Sequence, residues 1–309
     1  MSQSHAPTPH ATSAGAKNAR LMHLSSYASV CVASLLCVLK LFAWWRTDSL
    51  SMLSSFTDSV FDVLMSLVNL FAVRYALKPA DDDHRFGHNS IEDIAGLAQC
   101  AFIFAAMAMI VLQSVERLAN PPTMLAEPHL GMAVSIVGIM LTTALVLLQT
   151  FVMRRTKSLV IAADRLHYAG DILFNLGVFA AFALSSWGGI ASADACIAIL
   201  IALIVVWANR TIGIRAFNNL MNREMPDADK AAIIALVASH PGIQGHHKLK
   251  TRYSGIKPFI QLHAEIDASL NFREAHAIID GLENAILQRF PGADVIVHPD
   301  PVDSSHKPH

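Results

Sequence analysis

Residues 52–76 read MLSSFTDSVFDVLMSLVNLFAVRYA, and residues 159–187 read LVIAADRLHYAGDILFNLGVFAAFALSSW. Both are long and apolar enough to cross a bilayer, which takes about 20 helical residues. Yet each is interrupted by ionisable groups, Asp58 and Asp62 in the first and His167 and Asp171 in the second. Within each pair the spacing is four residues, so both side chains share one helix face. Each ionisable group placed in hydrocarbon costs several kcal/mol unless it has a partner or a task.

Four further stretches complete the pattern: Leu24–Trp45, Ile94–Leu118, Leu130–Met153 and Ala193–Ile212. The expected architecture is therefore a membrane α-helical domain of six transmembrane helices. Composition agrees: 53% of the 309 residues are hydrophobic and 15% charged, with a mean hydropathy of +0.43. A water-soluble protein carries about a quarter charged residues. The net charge of -1 argues against nucleic acid, whose phosphates call for a clustered positive excess. No GxxxxGK[ST] loop is present, so no nucleotide site is expected. Cys31, Cys37, Cys100 and Cys196 form no CxxC pair and read as small apolar packing residues without a disulfide.

Lys and Arg in the short connections set the orientation. Arg74, Lys78 and Arg85 flank the second connection and Arg154, Arg155 and Lys157 fill the fourth. Lys17 and Arg20 precede the first span, and Arg210 and Arg215 close the sixth. The opposite side has little beyond Arg46 and Arg117. Both termini are thus expected in the cytoplasm. Residues 1–22 are polar, rich in Ala, Pro and Ser, and lack a signal-peptide pattern. They read as a disordered cytoplasmic tail, with 23–212 as the transmembrane domain.

Beyond residue 212 the composition becomes that of a soluble domain, expected over 213–301 with a disordered tail at 302–309. Asp227–His240 reads as a helix behind Pro226, with acids in its first turn. Two strands follow at His247–Tyr253 and Pro258–Ile266, then a helix at Phe272–Phe290 and a strand at Asp294–His298. The order αββαβ fits a two-layer α+β domain.

Three groups of residues carry chemistry. If the second and fifth spans face each other, Asp58, Asp62, His167 and Asp171 offer four N/O ligands, the number a tetrahedral zinc site takes. A hydrogen-bonded cluster that merely fixes helix packing would leave negative charge uncompensated. Asp164, one turn before His167, reads as a helix-start acid facing the loop. Metal binds deprotonated ligands, so this set implies exchange of metal for protons. The second group lies in ADDDHRFGH, where Asp81, Asp82, Asp83, His84 and His88 could hold a metal weakly or form a solvated polar turn. The third is His247, His263, His276, His298 and Asp300, able to build a one- or two-metal site.

With DSVFD in the second span, PADDDHRFGHNSIED after it, RRTKS and ADRLHYAGD at the fifth, and VIVHPDP near the end, the chain resembles the cation diffusion facilitators. Within that family it is similar to the bacterial zinc and ferrous-iron efflux pumps. The resemblance spans roughly Ser25–Pro301. It implies a homodimer in the inner (plasma) membrane that exports divalent transition metals by alternating access, with protons as counter-ion. Zinc is the first substrate expected, and cadmium or iron(II) are further ones. It implies a transport site at Asp58, Asp62, His167 and Asp171, and a secondary site at Asp81, His84 and His88. It also implies a binuclear zinc site in a metallochaperone-like cytoplasmic domain, at His247, His263, His276, His298 and Asp300, with Asp300 bridging. The family's usual Lys–Asp pair near the dimer centre is replaced here by Ser90 and Asn222, and Pro299 stands beside His298. The competing readings are a metal sensor on a transporter fold and a membrane metalloenzyme, the latter disfavoured because HExxH is absent.

Overall fold

The computed structural model describes residues 9–47, 50–119, 129–188 and 193–302. Six long helices come first: α1 (Pro9–Thr47), α2 (Leu50–Ala76), α3 (Ser90–Ala119), α4 (His129–Thr156), α5 (Leu159–Gly188) and α6 (Ala193–Leu220). Helices are the natural answer to these apolar runs, because hydrocarbon offers backbone groups no partner outside their own segment. Among the described residues, five of the six contain a stretch long and apolar enough to span a bilayer. The other is α5, which carries Asp164, Arg165 and Asp171 in its first half.

Two boundaries differ from expectation. Helix α1 begins at Pro9, inside the stretch read as a disordered tail, because Ala-rich sequence with Lys17 and Arg20 continues the helix outward. At the other end α6 runs to Leu220 rather than stopping at Ile212. It stops on Asn222, whose left-handed backbone (φ 55°) allows two closing hydrogen bonds, Asn222 N–H to the Asn219 carbonyl and Arg223 N–H to that of Asn218. The Asn222 side chain also accepts from Arg252 at 3.1 Å. The segments 1–8 and 303–309, called tails above, lie outside the described residues.

Inside residues 18–217, one compact unit, the five helices α1–α5 are tied by a single carboxylate. Asp164 on α5 accepts from Ser29 of α1 (2.7 Å), Asn69 of α2 (2.9 Å), Gln99 of α3 (3.4 Å) and Gln149 of α4 (2.6 Å). Tyr168, one turn on, bonds Ser66 at 2.8 Å, and Ser66 in turn lies 3.1 Å from Ser29. Asp164 is thus no loop-facing acid: it is buried, and so are all four of its partners. The expectation failed because a helix-start position says nothing about which neighbours will surround it.

The C-terminal domain has the expected order: α7 (Asp227–Ser239), β1 (Gly245–Ser254), β2 (Lys257–Asp267), α8 (Phe272–Arg289) and β3 (Asp294–Val302). Strands β1 and β2 form an antiparallel hairpin turned at Gly255 (φ 55°), and β3 joins β2 in parallel after crossing over through α8. Asn271 and Glu274 close α8 with a reciprocal capping box. Ile233, Val237, Ile260, Leu262, Leu282 and Ile286 fill the core between helices and sheet.

Removing Asp164 leaves donors from four helices without an acceptor. Asp164→Ala is expected to destabilise the helical domain by at least about 1–3 kcal/mol, the cost of leaving a buried neutral donor unsatisfied. Thermal unfolding in detergent checks this, with Cys31→Ala, at an exposed position, as the neutral comparison.

Candidate metal centres

The first centre joins α2 to α5. His167 Nε2 lies 2.9 Å from Asp62 Oδ1 and 3.8 Å from Asp171 Oδ2, and one ligand atom from each of the three residues lies within 4.8 Å of the others. The four-residue repeat on α5 makes this possible, since it stacks Asp171 above His167. The Tyr168 and Phe102 rings, 5.3 and 6.3 Å from the imidazole, wall the site. Asp58 stands apart: it is one turn from Asp62 on α2, is exposed, and does not join this cluster. Three of the four expected ligands therefore converge. His167 Nε2 and Asp62 Oδ1 lie within hydrogen-bond distance, and the atoms that share a hydrogen here are atoms able to ligate a metal, so the two would compete for them.

The second centre lies in the turn after α2. Asp81 Oδ1 accepts the His84 backbone N–H at 2.8 Å and lies 3.1 Å from His84 Nδ1, while Asp81 Oδ2 lies 3.2 Å from His88 Nε2. Gly87, at φ 89°, closes the turn that folds His88 back against His84, with ring centres 4.5 Å apart. The Tyr75 ring meets His88 edge-on at 4.6 Å. Lys78 donates to Asp81 at 2.8 Å, and this bond above all holds the Asp81 carboxyl well below the usual carboxylate range. Asp81, His84 and His88 are thus brought together as expected, but with an ammonium already on the carboxylate.

The third centre follows from strand register. His247 pairs with His263 across β1–β2, and His263 pairs with His298 across β2–β3. Directly opposed residues on neighbouring strands come within about 5 Å, and the imidazole centres are 5.0 and 4.7 Å apart. Asp300, two residues after His298 and hence on the same face, reaches all three rings. Its Oδ2 lies 3.0 Å from His247 Nε2 and 2.8 Å from His263 Nδ1, and its Oδ1 lies 3.1 Å from His298 Nε2. One carboxylate with an oxygen toward each side has the shape of a bridge between two ions. Burial pushes the Asp300 carboxyl upward, but the His263 hydrogen bond and the three imidazoles outweigh it and hold it below its ordinary range. His276 is elsewhere: on α8 it stacks on Phe272 and lies 3.5 Å from Asp280.

Sequence reasoning passed over Glu265, which accepts or shares a hydrogen with His247 Nδ1 at 3.1 Å and so orients the ring. The signal was available, since Glu265 is two residues from His263 and shares its strand face. It pairs with Gly245, where a Cβ would collide with the Glu265 carboxylate. Lys40 was passed over as well, as a charge within the first span.

Residues 26–221 match the family described as the cation efflux transmembrane domain, and residues 225–302 match the cation efflux protein, cytoplasmic domain. The cation-efflux pump FieF of Pectobacterium carotovorum subsp. carotovorum is 43% identical over 286 residues, which is 93% of this chain and 95% of that protein. FieF of Escherichia fergusonii is 43% identical over 282 residues, 91% and 93% of the two chains. Among solved structures, a chain of CzrB is 30% identical and covers 26% of this chain and 99% of its own, at a TM-score of 0.25.

The third centre yields a prediction with two readouts. Zinc at a hundred times its dissociation constant stabilises a binding protein by about 2.7 kcal/mol. Asp300→Asn is expected to lose the larger part of the zinc-induced rise in thermal midpoint, and His276→Ala to lose less. In the metal-free protein, the lowered Asp300 value makes its carboxylate stabilising above the ordinary range, near 3.9. That stabilisation disappears as pH falls through the lowered folded value. Asp300→Asn should therefore flatten the loss of stability below about pH 4.

Proposed function

Because this chain belongs to the cation efflux family across both its transmembrane and its cytoplasmic domain, it is a transporter rather than an enzyme, and we propose that it exports divalent transition-metal cations from the cytoplasm in exchange for protons. Zinc is the first substrate, with cadmium and iron(II) next. The observation that carries this reading is the Asp62–His167–Asp171 cluster between two long apolar helices. Imidazole nitrogen and carboxylate oxygen are the donors that zinc takes readily, and the same set is open to neighbouring divalent metals.

The exchange follows from the donors themselves. With no metal present, a hydrogen lies between His167 Nε2 and Asp62 Oδ1. A metal ion binds those atoms only when they are deprotonated, so its arrival releases protons and reprotonation expels it. Opening the site alternately to the two sides of the membrane turns this competition into antiport, without ATP. The weight of Lys and Arg in the second and fourth connections supports cytoplasmic termini and a multi-pass protein in the inner membrane.

The C-terminal domain is proposed to bind two zinc ions at His247, His263, His298 and Asp300, and to work as half of a homodimer. His276, displaced from the other four within this chain, belongs to the same proposed set. Asp81, His84 and His88 make a weaker cytoplasmic site, where an incoming metal must compete with Lys78 for Asp81.

Zinc flux into or out of proteoliposomes under an imposed pH gradient tests the proposal. Wild type is expected to move zinc with the gradient, and Asp62→Ala to lose at least about nine-tenths of that flux, as expected when a metal ligand is removed. Flux of cadmium, iron(II) and manganese in the same vesicles ranks the substrates. Zinc binding to a folded protein that moves none of these ions would overturn export in favour of a metal sensor.

A further inference from the structure

Between Arg20 and Arg46, α1 carries one Lys, Arg, Asp or Glu residue, which is Lys40. A lysine inside a span is costly and calls for a partner or a function. Its place relative to α2 is set by two contacts between the helices. Ser29 Oγ lies 3.1 Å from Ser66 Oγ, and the Trp44 and Phe56 rings stack at 6.2 Å with 7° between their planes. Later residues of α1 therefore meet earlier residues of α2.

Lys40 lies between these two contacts in height and in direction. Eleven residues separate it from Ser29, about three full turns, so both project from nearly the same side of α1. Trp44, one turn further on, continues that stripe. Measured from the serine contact, Lys40 is about 16 Å along α1 and Asp58 about 12 Å along α2 in the same direction. Lys40 thus stands at the Asp58 end of the Asp58–Asp62–Ser66 ridge, bracketed by the serine contact and the Trp44–Phe56 stack. This also gives a reason for the separate position of Asp58, the one expected ligand outside the His167 cluster.

We propose that Lys40 is a tethered counter-cation of the transport site, which balances Asp58 when no metal is bound and repels the metal when one is. Metal and ammonium have the same sign and stand on the same side of the bundle as these carboxylates, so each weakens the hold of the other. The Asp62–His167–Asp171 cluster, with Asp58 one turn away, would hold a divalent ion more firmly without Lys40 and release it more slowly. Lys40 therefore sets the affinity at a level from which the ion can be released.

The proposal rests on the transport-site reading given above, and its test separates the two. Zinc flux is measured against zinc concentration in proteoliposomes for wild type, Lys40→Gln, Lys40→Arg and Asp62→Ala. Two unit charges that interact across a partly buried site justify a change of at least about tenfold. Lys40→Gln is expected to lower KM for zinc at least about tenfold and to reduce the maximal rate, while Lys40→Arg keeps wild-type values. Tighter binding cannot arise from misfolding. If Asp62→Ala abolishes flux but Lys40→Gln leaves KM unchanged or raised, Lys40 merely extends its amine to the membrane surface and the proposal is wrong. If Asp62→Ala transports normally, the site itself is misassigned and the role of Lys40 falls with it.

Discussion

Hydrocarbon gives an ionisable side chain nothing to pair with, and the helical domain is arranged around that fact. Its buried polar groups answer one another across helices: His167 with Asp62 between α5 and α2, and Asp164 with four other helices at once. These contacts are directional, whereas the apolar surfaces around them would pack almost as well in other rotations. The Asp164 hub fixes how α5 is turned. His167 and Asp171, one and two turns further along the same helix, take their aim from it. Structure and transport chemistry therefore rest on adjoining turns of a single helix.

What the sequence makes legible is the local part of this. The four-residue spacings of Asp58 with Asp62 and of His167 with Asp171 place each pair on a common face, and the structure brings three of the four together. Spacing has no means to tell that Asp58 would stay outside, because that depends on the rotation of α2 against α5. The same blindness hid Asp164, whose burial is decided by Ser29, Asn69, Gln99 and Gln149, all more than ten residues away in sequence. Lys40 lies inside the stretch Leu24–Trp45, and its nearness to Asp58 depends on how α1 meets α2, which neither span shows alone.

In the C-terminal domain the division is similar. Alternation, turn residues and the helical period revealed all five elements in order, with three starts coinciding and the other ends shifted by one to four residues. His263 and His298 could be placed on strands from QLHAEI and VIVHPD, but their direct opposition is a matter of register, which no single strand specifies. His276 was grouped with them as a possible ligand on the helix between the two strands, and within one chain it lies on α8 beside Asp280.

The row of imidazoles across β1, β2 and β3 has a further consequence for how such a protein can change over time. Side chains alternate along a strand, so losing or gaining one residue anywhere between Gly245 and Asp300 that shifts a strand by one place turns its histidine to the opposite side of the sheet. Point substitutions can retune this centre one ligand at a time, but insertions and deletions within its strands dismantle it in one step. Length variation among descendants should therefore collect in the connections, such as 240–244 and 268–271, while the three strands keep their spacing.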